Sequence, residues 1–217
     1  MAEAVNPRRT YNSTRRREQA ETTRREILDA AQRLFERQGY AATTMAAIAA
    51  EAGVALKTVY VAFETKSGVL RALWNLLLRG DEEDTPIADR PAYREVLEEP
   101  DPERQLLLNA RNSRAGKLRV GAVAEVIRSA APGDPEIEAL WDRIETEYHA
   151  NQRAIAERLA AKQALRAGLD VDSAADVLWT LNHPTVWQLL VRERGWTGEQ
   201  YEEWAASVAA SQLLRPR

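Results

Sequence analysis

The chain has 217 residues, of which 45 % are hydrophobic and 29 % are charged, a balance typical of a globular protein. It has no cysteine and 2 histidines, which excludes disulfides and thiolate chemistry and leaves little material for a zinc site or a histidine base. We find no signal-peptide core and no apolar run of about 18 residues, so we expect a cytoplasmic protein without membrane contact.

The charge is distributed unevenly along the chain. The net charge is -3, yet residues 1–68 hold 11 Lys and Arg against 8 Asp and Glu. Arginines 8, 9, 15, 16 and 17 occupy one stretch without an acidic residue. A polyanion senses charge within a Debye length of about 8–10 Å, so this end of the chain is the candidate for contact with nucleic acid.

The N-terminal segment over residues 1–14 is polar and lacks a helical period, which predicts a mobile arm. Thr23 and Glu26 then form a candidate capping box for an amphipathic helix that Gly39 closes, although the helix start could lie earlier, among the arginines. The apolar face of this helix is predicted from residues at helical spacing: Ile27, Leu28, Ala31, Leu34 and Phe35.

Two short helical segments follow, over 43–52 and 55–63, and Gly53 separates them. A glycine at such a bend relieves a positive φ, so the pattern predicts a helix-turn-helix. In the second helix Leu56, Val59 and Phe63 are expected to be buried. The side chains expected to face DNA are Ala55, Lys57, Thr58, Tyr60 and Val61, with Lys66 supplying a further cation.

The remaining chain is also predicted to be helical. A helix from Lys66 is expected to fade into a boundary segment over 80–91, and further helices are expected near 102–115, 117–130, 135–166, 172–193 and 198–213. Asp134 and Thr197 are candidate N-caps, and Pro184 predicts a kink. No segment alternates with period two, so the fold class is predicted to be all-α.

The order of several spaced residues resembles the tetracycline-repressor (TetR) family of bacterial regulators over about residues 23–75. The resemblance is carried by Ala30-Ala31-x-x-Leu34-Phe35-x-x-x-Gly39-Tyr40, Thr44-x-x-x-Ile48-Ala49, and Gly53-Val54 through Thr58-x-Tyr60-x-x-Phe63 to Lys66. It implies a three-helix DNA-binding domain joined to a larger helical domain that binds a ligand and forms a homodimer. We place these domains at residues 1–65 and 66–217.

The same resemblance implies roles for individual residues. Thr44 and Lys66 correspond to phosphate contacts, and Lys57, Thr58 and Tyr60 to contacts of the recognition helix. Ala55 and Val61 depart from the residues that the family often has, which favours an apolar contact at Val61, such as with a thymine methyl group. Near a DNA-reading helix, an arginine cluster is expected to contact phosphates or enter a minor groove: Arg15, Arg16 and Arg17.

In the C-terminal half, the resemblance implies a dimer interface on the helices near 172–193 and 198–213. It also implies a ligand pocket among the middle helices. Aromatic side chains with a few polar groups are typical of such pockets, although the same residues can belong to a hydrophobic core. The candidates are Trp74, Asn109, Trp141, Tyr148, Trp179 and His183. No cofactor or metal site is predicted.

The functional hypothesis is a sequence-specific DNA-binding regulator, a repressor that a small-molecule effector releases from double-stranded operator DNA. Two alternatives stay open. An enzyme on a helical scaffold has little support, because no metal-spaced His/Glu motif, phosphate loop or nucleophile and base pair is present. A helical adaptor that lacks DNA binding is the other.

Overall fold

The computed structural model describes residues 7–79 and 90–216. Over these ranges every regular element is helical, apart from one bridge between Leu165 and Leu214. The prediction of an all-α chain is therefore confirmed. Of the predicted boundary segment, residues 80–89 lie outside the described residues. The chain divides into two compact units between Leu73 and Trp74.

The first unit contains helices α1 (Pro7–Ala42), α2 (Met45–Ala52) and α3 (Leu56–Phe63) and the beginning of α4 (Lys66–Arg79). Its core lies between α1 and the short helices, because large apolar side chains of each element are fully buried there. The largest of these are Ile27, Phe35, Ile48, Leu70 and Leu73. Burying one such side chain stabilises a fold by about 1.5–3 kcal/mol, so these few residues hold the short α2 and α3 in place.

The start of α1 lies earlier than Thr23, as the alternative start among the arginines allowed. Residues 1–6 lie outside the described residues, but residues 7–14 are helical, so the mobile arm is wrong there. The capping box of Thr23 and Glu26 is also wrong, because both residues lie inside the helix. Gly39 interrupts α1 with a φ of 76°, close to the predicted end. Helix-forming residues dominate the stretch before Thr23, which explains the earlier start.

The second unit contains α5 (Pro91–Glu98), α6 (Pro102–Ala130), α7 (Pro135–Ala161), α8 (Val171–Leu181), α9 (Pro184–Trp187) and α10 (Gly198–Leu213), with the end of α4. Its main core joins side chains of α5, α6, α7, α8 and α10, and Leu106, Ile155, Leu159, Leu178 and Leu213 are nearly inaccessible to water there. The long α6 and α7 therefore form the frame on which the other helices pack.

Several predicted helices of this unit are wrong in their extent, including the one over 135–166, which ends at Ala161. The predicted break at Gly116 is absent, and α6 runs without interruption, because a glycine inside a long helix costs only about 0.5–1 kcal/mol. The predicted kinked helix over 172–193 is broken into α8, α9 and a π-helical turn over Gln188–Glu193. His183 is extended with a ψ of 142°, as expected of a residue that precedes proline.

The predicted caps at Asp134 and Thr197 are confirmed. Asp134 accepts hydrogen bonds from the amides of Glu136 and Ile137 at the start of α7. Thr197 and Gln200 form a capping box at the start of α10. Among the described residues no single helix is long and apolar enough to cross a bilayer, and α2 with α3 reaches that length and composition only as a pair bent by 112°.

Candidate DNA-reading surface and ligand cavity

The second unit contains a cavity of about 430 Å³. This volume lies within the range of about 300–1,000 Å³ that small-molecule sites occupy. Its wall combines apolar side chains, among them Trp74, Leu78, Ile144 and Trp187, with polar side chains from α6 and α7. The cavity can therefore hold an organic molecule that is mostly apolar and carries a few polar groups.

A directed chain of hydrogen bonds lies along one side of the cavity wall. The Tyr148 hydroxyl donates to the carbonyl oxygen of Asn182 at 2.7 Å. The Ser113 hydroxyl lies 3.1 Å from the Tyr148 oxygen, and Lys117 Nζ donates to Ser113. A phenol has one hydrogen to donate, so Ser113 must be the donor to Tyr148. Burial raises the pKa of Tyr148, which keeps this hydroxyl protonated as the chain requires.

Lys117 is the buried cation of this wall. Its side chain is 9 % exposed, and burial lowers its pKa to about 7, because an ammonium group loses hydration when water is removed. Two further polar interactions fix the surrounding helices. Asn109 donates to Gln152 at 2.9 Å between α6 and α7, and His183 Nε2 lies 3.2 Å from Glu145 Oε2. The remaining oxygen of Glu145 is buried and has no hydrogen-bond partner within the described ranges.

In the first unit, α2 and α3 form the bent pair that the sequence predicts. Their 112° bend lies in the range of about 90–120° that helix-turn-helix motifs adopt. Gly53 ends α2 with a φ of 68°, its amide donates to Ala50, and the Val54 amide donates to Ala49. These bonds form a Schellman motif, in which a left-handed residue lets the last carbonyls of the helix find donors. Thr44 caps the other end by accepting from the Ala47 amide at 3.0 Å.

The faces of α3 are as predicted with one exception. Val59 and Phe63 are buried. Leu56 is 41 % exposed, so its assignment to the buried face is wrong, because it occupies the first position of the helix, beyond the reach of the core. Tyr60 and Val61 are 48 % and 77 % exposed. The structure exposes every side chain that was expected to face DNA on this helix: Ala55, Lys57, Thr58, Tyr60 and Val61.

The back of α3 is held by contacts that the sequence did not indicate. Arg24 on α1 donates to the carbonyl oxygen of Ala62 at 2.7 Å, and its guanidinium lies 4.2 Å from the ring centre of Phe63. A carbonyl at the end of a helix lacks a donor within the helix, so Arg24 both caps α3 and fixes it to α1. An arginine at helical spacing before an apolar face could have suggested such a role, but no rule specifies its partner.

The other predicted cations occupy distinct positions. Lys66 Nζ donates to the carbonyl oxygen of Tyr40 at 2.8 Å and lies 4.1 Å from its ring centre, so this ammonium group joins α4 to the end of α1. The three arginines Arg15, Arg16 and Arg17 are exposed on α1 rather than on an arm. Arg17 pairs with Glu21 one turn later at 3.1 Å, an exposed pair that contributes little to stability.

Comparison with known proteins bears directly on this bent pair. The family model described as "Bacterial regulatory proteins, tetR family" matches residues 27–73, which contain α2, α3 and the buried half of α1. This stretch of the chain therefore matches the N-terminal domain of TetR-family regulators. The regulator AcrR of Shigella flexneri is 40 % identical over 60 residues, and this alignment covers 28 % of each chain. The chain thus aligns with only a small part of this TetR relative's length.

Solved TetR-fold structures match far more of the chain, at low identity. SmeT, from Stenotrophomonas maltophilia, solved in complex with triclosan, superposes over 89 % of this chain and 92 % of its own with a TM-score of 0.69 and 20 % identity. A regulator of Saccharomonospora viridis in complex with choline covers 90 % of this chain and 100 % of its own with a TM-score of 0.70 and 18 % identity. At these identities the likeness shows that the TetR fold extends through the second unit.

The predicted ligand residues divide into two groups. Trp74, Asn109 and Tyr148 line the cavity. The other three, Trp141, Trp179 and His183, are absent from its wall. Trp179 and His183 instead contact each other edge to face, with ring centres 4.7 Å apart. Sequence reasoning missed Ser113, Lys117 and Glu145, because a polar residue within a long helix shows no signal of whether it faces a cavity or water.

The described part of the chain contains no cluster of side chains that could bind a metal ion. No group of three or more histidine, aspartate and glutamate side chains in residues 7–79 and 90–216 is arranged to hold an ion. What the described residues do provide is an exposed helix face with polar side chains in one unit and a partly open, largely apolar cavity in the other.

Proposed function

We propose that this chain is a transcription regulator that reads a specific operator through α3 and is released from it by a small molecule. The observation that supports this function best is the exposed face of Lys57, Thr58 and Tyr60 on a helix held at a glycine-hinged bend. A helix of this size fits a major groove about 12 Å wide, where hydroxyl and ammonium groups can donate to base edges and phosphates.

Thr44 and the exposed arginines of α1 supply further candidate contacts. Thr44 caps α2, so its neighbouring amides point outward at the positive end of a helix, where a phosphate group is favoured. Arg15 and Arg16 extend the positive surface. Lys66 would contact a phosphate either while its ammonium group stays bonded to the Tyr40 carbonyl oxygen or after it exchanges that bond for the phosphate. Phosphate contacts position the protein on DNA and base contacts select the sequence.

The regulator is proposed to act as a homodimer in the cytoplasm. Two copies of α3 would then enter successive major grooves about 34–36 Å apart on a near-palindromic site. The proposed interface uses the segments near 172–193 and 198–213. Within them Leu178 and Leu213 are buried in the core of the chain itself, so the contact between copies must use exposed side chains such as Leu189.

The cavity is the proposed effector site. SmeT was solved with triclosan and the Saccharomonospora viridis protein with choline, so proteins with this fold accommodate small molecules. Trp74 and Leu78 in the cavity wall belong to α4, which begins at Lys66 in the first unit. A ligand that binds one arrangement of α4 better than another would shift the population toward it and change the affinity for DNA.

The decisive experiment is selection of fragments from the source genome by the purified full-length chain, followed by binding measurements over a range of salt concentrations. We expect one or a few enriched palindromic sites, with an affinity that falls linearly on a log-log plot as phosphate contacts release counterions. Lys57→Met should reduce that slope by about one. An absence of enriched fragments would favour the adaptor, and turnover of a bound metabolite would favour the enzyme.

A further inference from the structure

The cavity wall contains an ammonium group without a counter-ion. Among the described residues Lys117 Nζ donates to Ser113 and lies 5.3 Å from the ring centre of Tyr201, and it forms no ion pair. The neighbouring carboxylates of α10 are engaged elsewhere, because Arg114 pairs with both Glu199 and Glu202. A buried charge without a partner is costly, which is why burial lowers the pKa of Lys117, and an anion in the cavity would offset that cost.

The hydrogen-bond chain sets the direction in which Lys117 can still donate. Tyr148 uses its hydrogen on Asn182, and Ser113 uses its hydrogen on Tyr148, so Ser113 offers Lys117 only an acceptor. A charged lysine has three N–H groups, of which one binds Ser113 and one can face the Tyr201 ring. One donor of a buried ammonium group remains for an acceptor in the cavity.

We propose that Lys117 binds the carboxylate of an amphipathic organic acid whose apolar body lies against Trp74, Ile144 and Trp187 in the cavity. The proposal rests on the proposed function in that this acid would be the effector. An anion satisfies both the missing charge and the remaining donor of Lys117. A charge-assisted hydrogen bond of this kind is about twice as strong as a neutral one.

Charged groups of both signs surround the cavity. On α7, Glu145 and Glu147 line the wall and would attract a cation, but Glu145 already receives His183 on one oxygen. Arg119 binds the carbonyl oxygens of Leu77 and Leu78 at the end of α4. Tyr201 of α10 lies beside Lys117, and Tyr148 of α7 is joined to Lys117 through Ser113. Burial raises the pKa of both hydroxyls, so both remain neutral. Arg90 precedes α5 and adds positive charge.

The proposal predicts a linkage between acid binding and protonation. The pKa of Lys117 is lowered to about 7 in the empty cavity, and a bound carboxylate should raise it. Above this pH the lysine must take up a proton when the acid binds, so affinity falls by up to about tenfold per pH unit. Below it the lysine is already charged, and affinity should level off as long as the acid, with a pKa of about 4–5, stays ionised.

The test uses three probes with one apolar chain and different head groups: decanoate, decanamide and decyltrimethylammonium. Each competes with the neutral dye N-phenyl-1-naphthylamine for the full-length protein, and calorimetry in two buffers counts protons taken up at pH 8. We expect decanoate to bind at least about tenfold more tightly than decanamide at pH 7, with up to one proton taken up at pH 8.

Matched variants assign the effect to one side chain. Lys117→Met keeps a similar length and should remove both the preference for the acid and the proton uptake. Lys117→Arg should retain the preference but lose the pH dependence between 7 and 9, because guanidinium does not titrate there. Arg111→Met, which removes an exposed cation of α6 outside the cavity wall, is the control and should bind like the unaltered protein. Thermal unfolding verifies that each variant is folded.

Each result decides the proposal. Equal binding of decanoate and decanamide, stronger binding of the ammonium probe, failure of all three to displace the dye, or an acid preference that survives Lys117→Met would overturn it. A separate measurement of operator release by decanoate addresses the function. Acid binding without release would leave the Lys117 site standing and refute the effector role. Operator binding without acid preference would refute the Lys117 site and leave the DNA-binding function standing.

Discussion

At the scale of single residues, the exposed position of Tyr60 on α3 is what makes it a candidate for DNA contact. Its neighbours Val59 and Phe63 are buried and keep α3 on the first unit, so the orientation of Tyr60 follows from the helical period. About half of the Tyr60 side chain stays in water, so this half contributes nothing to the core. Its ring and hydroxyl are then available for DNA, the ring for a sugar or thymine methyl group and the hydroxyl for a phosphate or base edge.

We predict that Tyr60→Ala lowers the affinity for the selected operator by about 1–3 kcal/mol without changing stability. Tyr60→Phe separates the two parts of the side chain, because it retains the ring and removes the hydroxyl. Fluorescence anisotropy with labelled operator measures both variants, and circular dichroism verifies the fold. Unchanged affinity of a folded Tyr60→Ala protein would exclude this residue from the interface.

At the scale of elements, the turn between α3 and α4 depends on a close approach of backbone atoms. A Cβ atom at Gly68 would lie 2.3 Å from the carbonyl oxygen of Phe63, nearer than any side chain can approach. Thr65 accepts the Gly68 amide at 2.9 Å and so begins α4 at this point. The glycine is required here by space, whereas at Gly53 it is required by a positive φ with no neighbour near its missing Cβ.

Replacement of Gly68 by alanine should destabilise the first unit by about 1–3 kcal/mol, as overpacking does. Gly116→Ala is the matched control: this glycine is helical with nothing within 4 Å of an added Cβ, and alanine there should stabilise by about 0.5–1 kcal/mol. All 6 tryptophans lie at or after residue 74, so tryptophan fluorescence reports on the second unit alone.

In urea, Gly68→Ala should therefore shift the circular-dichroism transition more than the fluorescence transition, and Gly116→Ala should shift the fluorescence transition upward. If Gly68→Ala were as stable as the unaltered chain, the close approach of α4 to the end of α3 would be incorrect.

At the scale of the whole molecule, the proposed regulator must associate with itself. The segments proposed for the interface contribute most of their apolar residues to the core of the chain, which leaves few exposed ones. Leu189 is 47 % exposed in the π-helical turn. Leu107 on α6 is 43 % exposed and lies outside the proposed interface, which makes it a matched control.

Leu189→Glu should weaken the homodimer by at least about tenfold, since a carboxylate loses hydration in an apolar contact. Leu107→Glu should leave the dimer intact. Sedimentation velocity over a range of protein concentrations measures the dissociation constant of each variant. A monomeric unaltered chain would contradict the dimer, and a dimer insensitive to Leu189→Glu would move the interface elsewhere.

The amino-acid sequence by itself determined the all-α class, the glycine-hinged pair of short helices, the exposed face of α3 and the caps at Asp134 and Thr197. These features are local, because helical period, capping and left-handed glycine all act within a few residues. The same local rules misplaced the cap of α1 at Thr23, the break in α6 and the extent of the helix after Asn182, because single cap-forming residues, glycine and proline are weak guides to where a helix begins, continues or ends.

Only the tertiary structure decided what the long helices do with their polar residues. In the sequence, Lys117 and Ser113 are indistinguishable from other polar helix positions, and their role in the wall follows only from the position of Tyr148 on α7. The sequence also suggests Trp141 and Trp179 as pocket residues, but neither lines this cavity. Arg24 likewise acquires its partner only when α3 packs on α1. Such contacts join residues far apart along the chain, and no periodicity within one helix specifies which distant atom it will meet.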